Sequence, residues 1–451
     1  MPRSRFWVGL FVTLVAGLLA AAGPALAASK HHSKKRKIVH GAVDTGGYWP
    51  DSDVQHIHLR FGPIAISPGQ NNIRLDVVTQ KPKVDGWIVG FTPNLTWTNG
   101  KVPPVDVIHL HHAVWLVNGH PQFGAGEEKT RVRVPQGFGM PYKTTDRWAL
   151  TYMIHNLTPQ PTTVYLDYDL RFIPATAPQA QGIVPVYQGG LDVRGLNIYP
   201  VFDVHQFSGH NGRFTYPTDD PNAYPNGVKL NQRVVESDAT LVSAFVHLHP
   251  GGLYGDLYDT RVIDGVPKTV LLFRSRAHYF EPAGTVSWDV AMTNTPPNWR
   301  VAIKKGDILS MTSTYNSRIG SWYEAMGIMS ALTTATPDGG VDPFTHNVAV
   351  PGIVNHGHLP ENNHHGGNGP AVGPNPATLP SGPLTDAGKV PIDNFVYGQG
   401  DLTLGGSKVN PPTIHQGQSL TFVNDDANVG PGEWHTITSC RAPCNAQTGI
   451  A

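Results

Sequence analysis

Apolar residues in this chain come in short alternating runs, each closed by proline, glycine or asparagine. Thr163–Phe172 largely alternates apolar with polar side chains, the period of two that buries one face of a strand and wets the other. Ile108–Val117, Leu241–Val246, Thr269–Phe273 and Thr285–Val290 are strand-like as well, and no clear helical period persists beyond about two turns. The 451 residues include 49 Gly and 40 Pro, and only 15% are charged; about 25% is usual for a soluble protein. Frequent turn residues with few charges fit an all-β protein with many loops. The expected fold is two tandem antiparallel β-sandwich domains, jelly-roll-like, followed by a smaller β segment.

Boundaries follow from shifts in composition. Arg3 and Arg5, the apolar run Phe6–Leu19 and the A-x-A site at Ala25–Ala27 read as an export signal over 1–27. The protein is therefore expected to be secreted, with no stable membrane span in the mature chain. A basic lead over 28–52, including Lys34, Lys35, Arg36 and Lys37, is expected to be disordered. The two sandwiches are expected at 53–175 and 176–335. A Gly-, Pro-, Asn- and His-rich linker that need not pack is expected at 336–387, and strand signals resume over 388–451. Lys and Arg together number 33 and Asp and Glu 33, so no basic excess points to nucleic acid. The two cysteines, Cys440 and Cys444, can pair with each other in an exported protein. The main body has no disulfide and depends on burial and any bound metal. No G-x-S-x-G elbow and no phosphate-binding glycine loop is present.

Histidine is the outlier, at 22 residues, and it is the commonest metal ligand. Four places stand out: His109-Leu-His111-His112, His155, His247-Leu-His249, and Met326. Residues i and i+2 of a strand share a face, so His247 and His249 offer two imidazoles side by side. Imidazole suits several metals, but a thioether favours Cu(I), so Met326 beside that pair would select copper. Taken singly, each piece also fits an ordinary role: a surface H-x-H pair, a core methionine, a hydrogen-bonded histidine.

The order of these pieces, ending in a methionine after Ser313-Thr-Tyr-Asn316, resembles the type II, ascorbate-dependent copper monooxygenases. That family includes the peptide-amidating hydroxylase and dopamine β-hydroxylase. The resemblance covers about Phe61 to Ala335, with Asp85–Phe91 and Gly306-Asp307 as supporting segments. It implies two copper ions on separate sandwiches facing a solvent-filled cleft. His111, His112 and His155 would hold the electron-supplying copper. His247, His249 and Met326 would hold the oxygen-binding one, where a small-molecule substrate is hydroxylated with O2 and ascorbate as reductant. Strand parity alone pairs His109 with His111, whereas the resemblance pairs His111 with His112. The adjacent pair needs a strand end or a bulge, with His109 as a neighbouring group.

Departures from the family pattern bear on the substrate. Phe245 stands where peptide-amidating members carry an Arg, and Ser330 where they carry a Tyr, so peptide amidation is not expected. Phe245 is expected to line the substrate pocket. Ser313 and Gly327 stand at two positions that hold cysteines in the family. Thr413–Ile437 resembles the start of a cupredoxin, with His435 at its first ligand position. No loop carrying the further ligands follows, so the segment is expected to be an incomplete cupredoxin. A non-enzymatic copper-handling protein and a β-sandwich binding module are the competing readings.

Overall fold

The computed structural model describes residues 47–67, 73–103, 105, 107–156, 161–194, 200–224, 227–279, 290–355, 389–393, 396–397 and 417–424. The export signal, most of the basic lead, residues 356–388, His435, Cys440 and Cys444 lie outside them. Apart from short 3-10 turns, as at Asp51–Asp53 and Pro178–Ala180, the regular structure among the described residues is strand. No helix among them is long and apolar enough to cross a membrane.

The alternating segment becomes the strand Thr162–Pro174, with Val164, Leu166, Tyr168, Leu170 and Phe172 all at 0% exposure. The fold is all-β and built of sandwiches. In the first half, Gln55–Ile66, Thr162–Pro174, Gly86–Trp97 and Phe138–Tyr142 form one layer. The other layer is the sheet of Arg74–Val78, Trp148–Asn156, Ile108–Val117 and His120–Ala125. Phe91, Trp115, Phe123 and Tyr168 pack between the layers. In the second half, Val184–Asp192, Gly327–Thr334, Ala239–Leu248 and Val301–Ile303 cover a larger sheet centred on Ile308–Asn316, Gly252–Ile263 and Val266–Tyr279. Leu241, Val246, Phe273 and Tyr315 fill the core between them.

The halves are not separate beads. Val184–Asp192 pairs antiparallel with Gly327–Thr334 and, at Val184 and Pro185, in parallel with Phe138 and Gly139 of the first half. This one strand joins the upper layers of both sandwiches into a single nine-stranded sheet. Sequence periodicity carries no record of such a long-range parallel pairing.

Packing begins and ends beyond the boundaries expected from composition. Trp49, assigned to the disordered lead, is buried, and its indole N–H donates to the Phe138 carbonyl at 2.7 Å. The expected linker packs from 336 to 355. Val348 is buried, Trp299 donates to its carbonyl, and Ile353–Asn355 adds an edge strand to Val290–Asn294. A segment rich in polar and turn residues packs here because a few of its side chains find strong partners. Chief among these is Asp342, which accepts both bonds from the Arg261 Nη1 at 3.0 Å. The same guanidinium grips Asp307 through Nε and Nη2 at 2.7 Å.

Asp259 is fully buried beside this network. Burial, then the adjacent Asp307 carboxylate, push its carboxyl up to about 7. The unfolded chain releases that proton near pH 4. Between about pH 4 and 7 the folded protein binds the extra proton, so stability falls as pH rises through that window. Asp259→Asn removes the effect. The melting temperature of the variant minus that of the wild type should rise from pH 4 to pH 7 and then level off. A difference that does not change with pH would contradict this.

Candidate metal centre

The strand Ile108–Val117 pairs antiparallel with Trp148–Asn156, placing His109 directly opposite His155. A regular strand would send His111 and His112 to opposite faces. The register instead shifts between Leu110 and His112, a bulge at His111. His111 and His112 then face each other, Nδ1 to Nδ1, at 3.2 Å. A bulge is one of the two irregularities, with a strand end, that would bring adjacent histidines to one site. The His155 ring lies 4.6 Å from His109 and 4.9 Å from His111, centroid to centroid.

In the second half, Ala244, Val246 and Leu248 face their own core. Phe245 turns the other way and packs with residues of the first half. His247 shares that direction by strand parity. The His247 and His249 rings are 5.2 Å apart. His249 Nδ1 contacts the Glu324 carbonyl at 2.7 Å. A carbonyl only accepts, so Nδ1 carries the proton and Nε2 keeps the lone pair. Glu324 adopts φ of 53°, a left-handed conformation uncommon outside glycine. Met326 is buried immediately after Trp322–Ala325. One hydroxyl ties it to His249: Tyr315 Oη accepts from the backbone N–H groups of His249 and Met326, each at 3.1 Å, and donates to the Met326 carbonyl at 2.5 Å.

The two groups meet. His111 of the first half and His249 of the second stand 4.5 Å apart, ring to ring. His109, His111 and His249 are each at most 4% exposed. The structure therefore forms one enclosed cluster where the resemblance implies two sites across an open cleft. Burial first, and then mutual repulsion, hold His109, His111 and His249 well below the usual histidine range. The same causes bring His112 to about 3, and burial brings His155 to about 4. These rings are neutral at pH 7, the form in which an imidazole binds a metal.

His247 differs. Burial lowers it, but the Glu128 carboxylate, 2.8 Å from its Nδ1, outweighs burial and raises it. Burial raises Glu128, and the charge of His247 with several hydrogen bonds brings the net shift below the usual range. Glu128 belongs to a wholly buried loop, Gly126–Thr130. In that loop Glu127 accepts from the Leu110 N–H at 2.7 Å and from Lys129 Nζ at 2.5 Å. Sequence reasoning missed these residues, since a Gly-Glu-Glu-Lys run after a strand reads as a solvated turn.

The residues fit copper in their chemistry. Two nitrogens about 2.0–2.1 Å from one ion, at a right or tetrahedral angle, stand roughly 2.9–3.4 Å apart. The separation of 3.2 Å between His111 and His112 falls in that range. The Nε2 atom of His247 is buried without a hydrogen-bond partner. Among the described residues, no three His, Cys, Asp or Glu side chains already close on one point. In the second set the third donor would be the softer thioether of Met326.

Two pairs of positions named by the resemblance are also neighbours in space. Phe245 and Ser330 are directly opposed in the ladder between Ala239–Leu248 and Gly327–Thr334. Phe245 is buried at the seam between the halves, and no open pocket wall is formed by it. A Cβ added to Gly327 would fall 2.8 Å from Ser313 Cβ, so these two positions are adjacent, though closer than the roughly 3.5–4.5 Å between the Cβ atoms of a disulfide.

No family model matches the chain, and no curated protein matches it. Among solved structures it is similar to the VP2 subviral particle of infectious bursal disease virus, at 10% identity and a TM-score of 0.18, over 62% of this chain and 71% of that one. It is also similar to the PBSX exported protein XepA, at 10% identity and a TM-score of 0.13, over 61% of this chain and 86% of that one. Neither likeness is strong enough to bear on fold or function.

The Tyr315 hydroxyl yields a direct test. Tyr315→Phe keeps the ring but strands two N–H groups and a carbonyl in the core, each costing about 1–3 kcal/mol when left unpaired. Thermal or denaturant unfolding of metal-free protein should show a loss of at least about 2 kcal/mol. An unchanged midpoint would show that the three bonds do not hold the His249 and Met326 backbones together.

Proposed function

We propose that this chain is a copper protein acting as a monooxygenase on a small, neutral substrate. His111, His112 and His155 hold one ion, and His247, His249 and Met326 hold the other. The observation that carries the reading is the convergence of histidines from both ligand sets on one cluster, with His111 4.5 Å from His249. His247 Nε2 is buried without a hydrogen-bond partner; such an atom costs stability unless something satisfies it, and a metal would. The bulge at His111 and the closeness of Phe245 to Ser330 and of Ser313 to Gly327 support the likeness to the type II copper monooxygenases, which pairs His111 with His112 and marks the other four positions.

Copper there would supply one-electron redox chemistry, drawing electrons from a reductant such as ascorbate and using O2 to hydroxylate a C–H bond. The chain's own contribution is to hold the rings other than His247 neutral, orient His249 through the Glu324 carbonyl and His247 through Glu128, and exclude water. With Phe245 and Ser330 at the positions of the family's Arg and Tyr, no cation there would pair with a substrate carboxylate. A buried unpaired carboxylate is costly, so the substrate is neutral or apolar at its reacting end.

A second reading, a non-enzymatic copper-holding protein, is favoured by one observation: His109, His111 and His249 are closed off from solvent. Copper-loaded protein should consume O2 with ascorbate and a neutral aromatic compound, and not with a glycine-extended peptide. Copper binding without any substrate-linked uptake would select the holding role, and turnover of the peptide alone would overturn the substrate assignment. In the same protein Met326→Ala should weaken Cu(I) more than Cu(II), because a soft donor is lost. Equal Cu(I) affinity in variant and wild type would show that Met326 is a packing residue only.

A further inference from the structure

We propose that Glu128 of the first half positions His247 of the second for metal binding, so that the second ligand set is complete only while the halves are docked. The inference rests on the copper reading. Glu128 follows the strand His120–Ala125 and is 3% exposed. Its Oε1 accepts from His247 Nδ1 at 2.8 Å and from the Gly126 N–H at 3.1 Å. The second bond fixes the carboxylate within its own loop, so the loop sets the direction in which the imidazole points. With Nδ1 turned to the carboxylate, Nε2 faces away from it, buried and without a hydrogen-bond partner. Metal-bound histidines are commonly oriented in this way by a carboxylate on the far ring nitrogen.

The approach is close. A Cβ on Gly126 would fall 2.5 Å from Glu128 Oε2, 2.8 Å from His247 Cε1 and 3.2 Å from the His111 carbonyl. Only a glycine lets the loop pass between the two histidine-bearing strands. Glu127, one residue earlier, holds the other strand through its bond from the Leu110 N–H at 2.7 Å. Consecutive carboxylates of one loop thus grip both ligand strands, one from each half. Glu128 is a positioning residue; the ligands remain the histidines and Met326.

The test uses the full chain with Glu128→Ala and Glu128→Gln, loaded with copper alone against a competing chelator. Removing such a carboxylate typically weakens metal binding by about 10–100-fold. Glu128→Ala should show that loss in the copper whose X-ray absorption carries sulfur scattering from Met326, while the all-histidine copper keeps its affinity. Glu128→Gln retains an acceptor of the same shape and should recover part of it. In metal-free protein, 15N signals of the His247 ring should move in Glu128→Ala while those of His155 stay. Wild-type affinity and unmoved His247 signals in a folded Glu128→Ala protein would overturn the proposal. If that variant does not fold, an unchanged sulfur-ligated copper in Glu128→Gln overturns it. Wild-type protein that takes up no copper would refute the copper reading and the positioning role together, even where the His247 signals still report the Glu128 contact.

Discussion

The strand Val184–Asp192 is hydrogen-bonded on both edges, in parallel to Phe138 and Gly139 and antiparallel to Gly327–Thr334. That double pairing sets how the two sandwiches sit. With the sheet continuous, Phe245 of the second half enters the core of the first, and His249 arrives against His111. Backbone ladders of this kind leave little freedom to slide, because a one-residue slip reverses every side chain. The histidine cluster is thus a consequence of sheet pairing and does not depend on side-chain contacts alone.

Polar groups brought into such a seam must be satisfied. The buried loop Gly126–Thr130 does much of this, pairing Glu127 with Lys129 and Leu110, and Glu128 with His247. Tyr315 closes the other side by binding the His249 and Met326 backbones. Between them lie five imidazoles that burial holds below their usual range, a donor set whose softness suits a borderline cation. The enclosure also bears on chemistry, since a dry site strengthens every electrostatic interaction within it.

Much of the fold was legible because it rests on local periodicity. Thr163–Phe172 and Ile108–Val117 emerge as strands within a residue or two of their expected bounds. The closeness of the H-x-H pair was expected from strand parity, but His249 lies one residue past the strand end at Leu248, and its ring is turned by the Glu324 carbonyl. The adjacent pair called for a strand end or a bulge, and a period of two could not tell which or where. The shared strand, the Gly126–Thr130 loop and the packing of residues 336–355 left no local signature. Each depends on partners distant in sequence: Phe138 for Val184, His247 for Glu128, and Arg261 for Asp342. Composition marks such segments as turns or linkers because charge and glycine look alike whether solvated or buried.

The most direct measurement is anomalous diffraction at the copper edge from crystals grown with the metal. Two peaks are expected at the seam between the halves. One should lie within about 2.0–2.1 Å, an ordinary metal–imidazole distance, of nitrogens of His111, His112 and His155. The other should lie at that distance from His247 and His249, with the sulfur of Met326 beside it. A seam without copper, or copper bound only elsewhere on the chain, would contradict the assignment of these six residues.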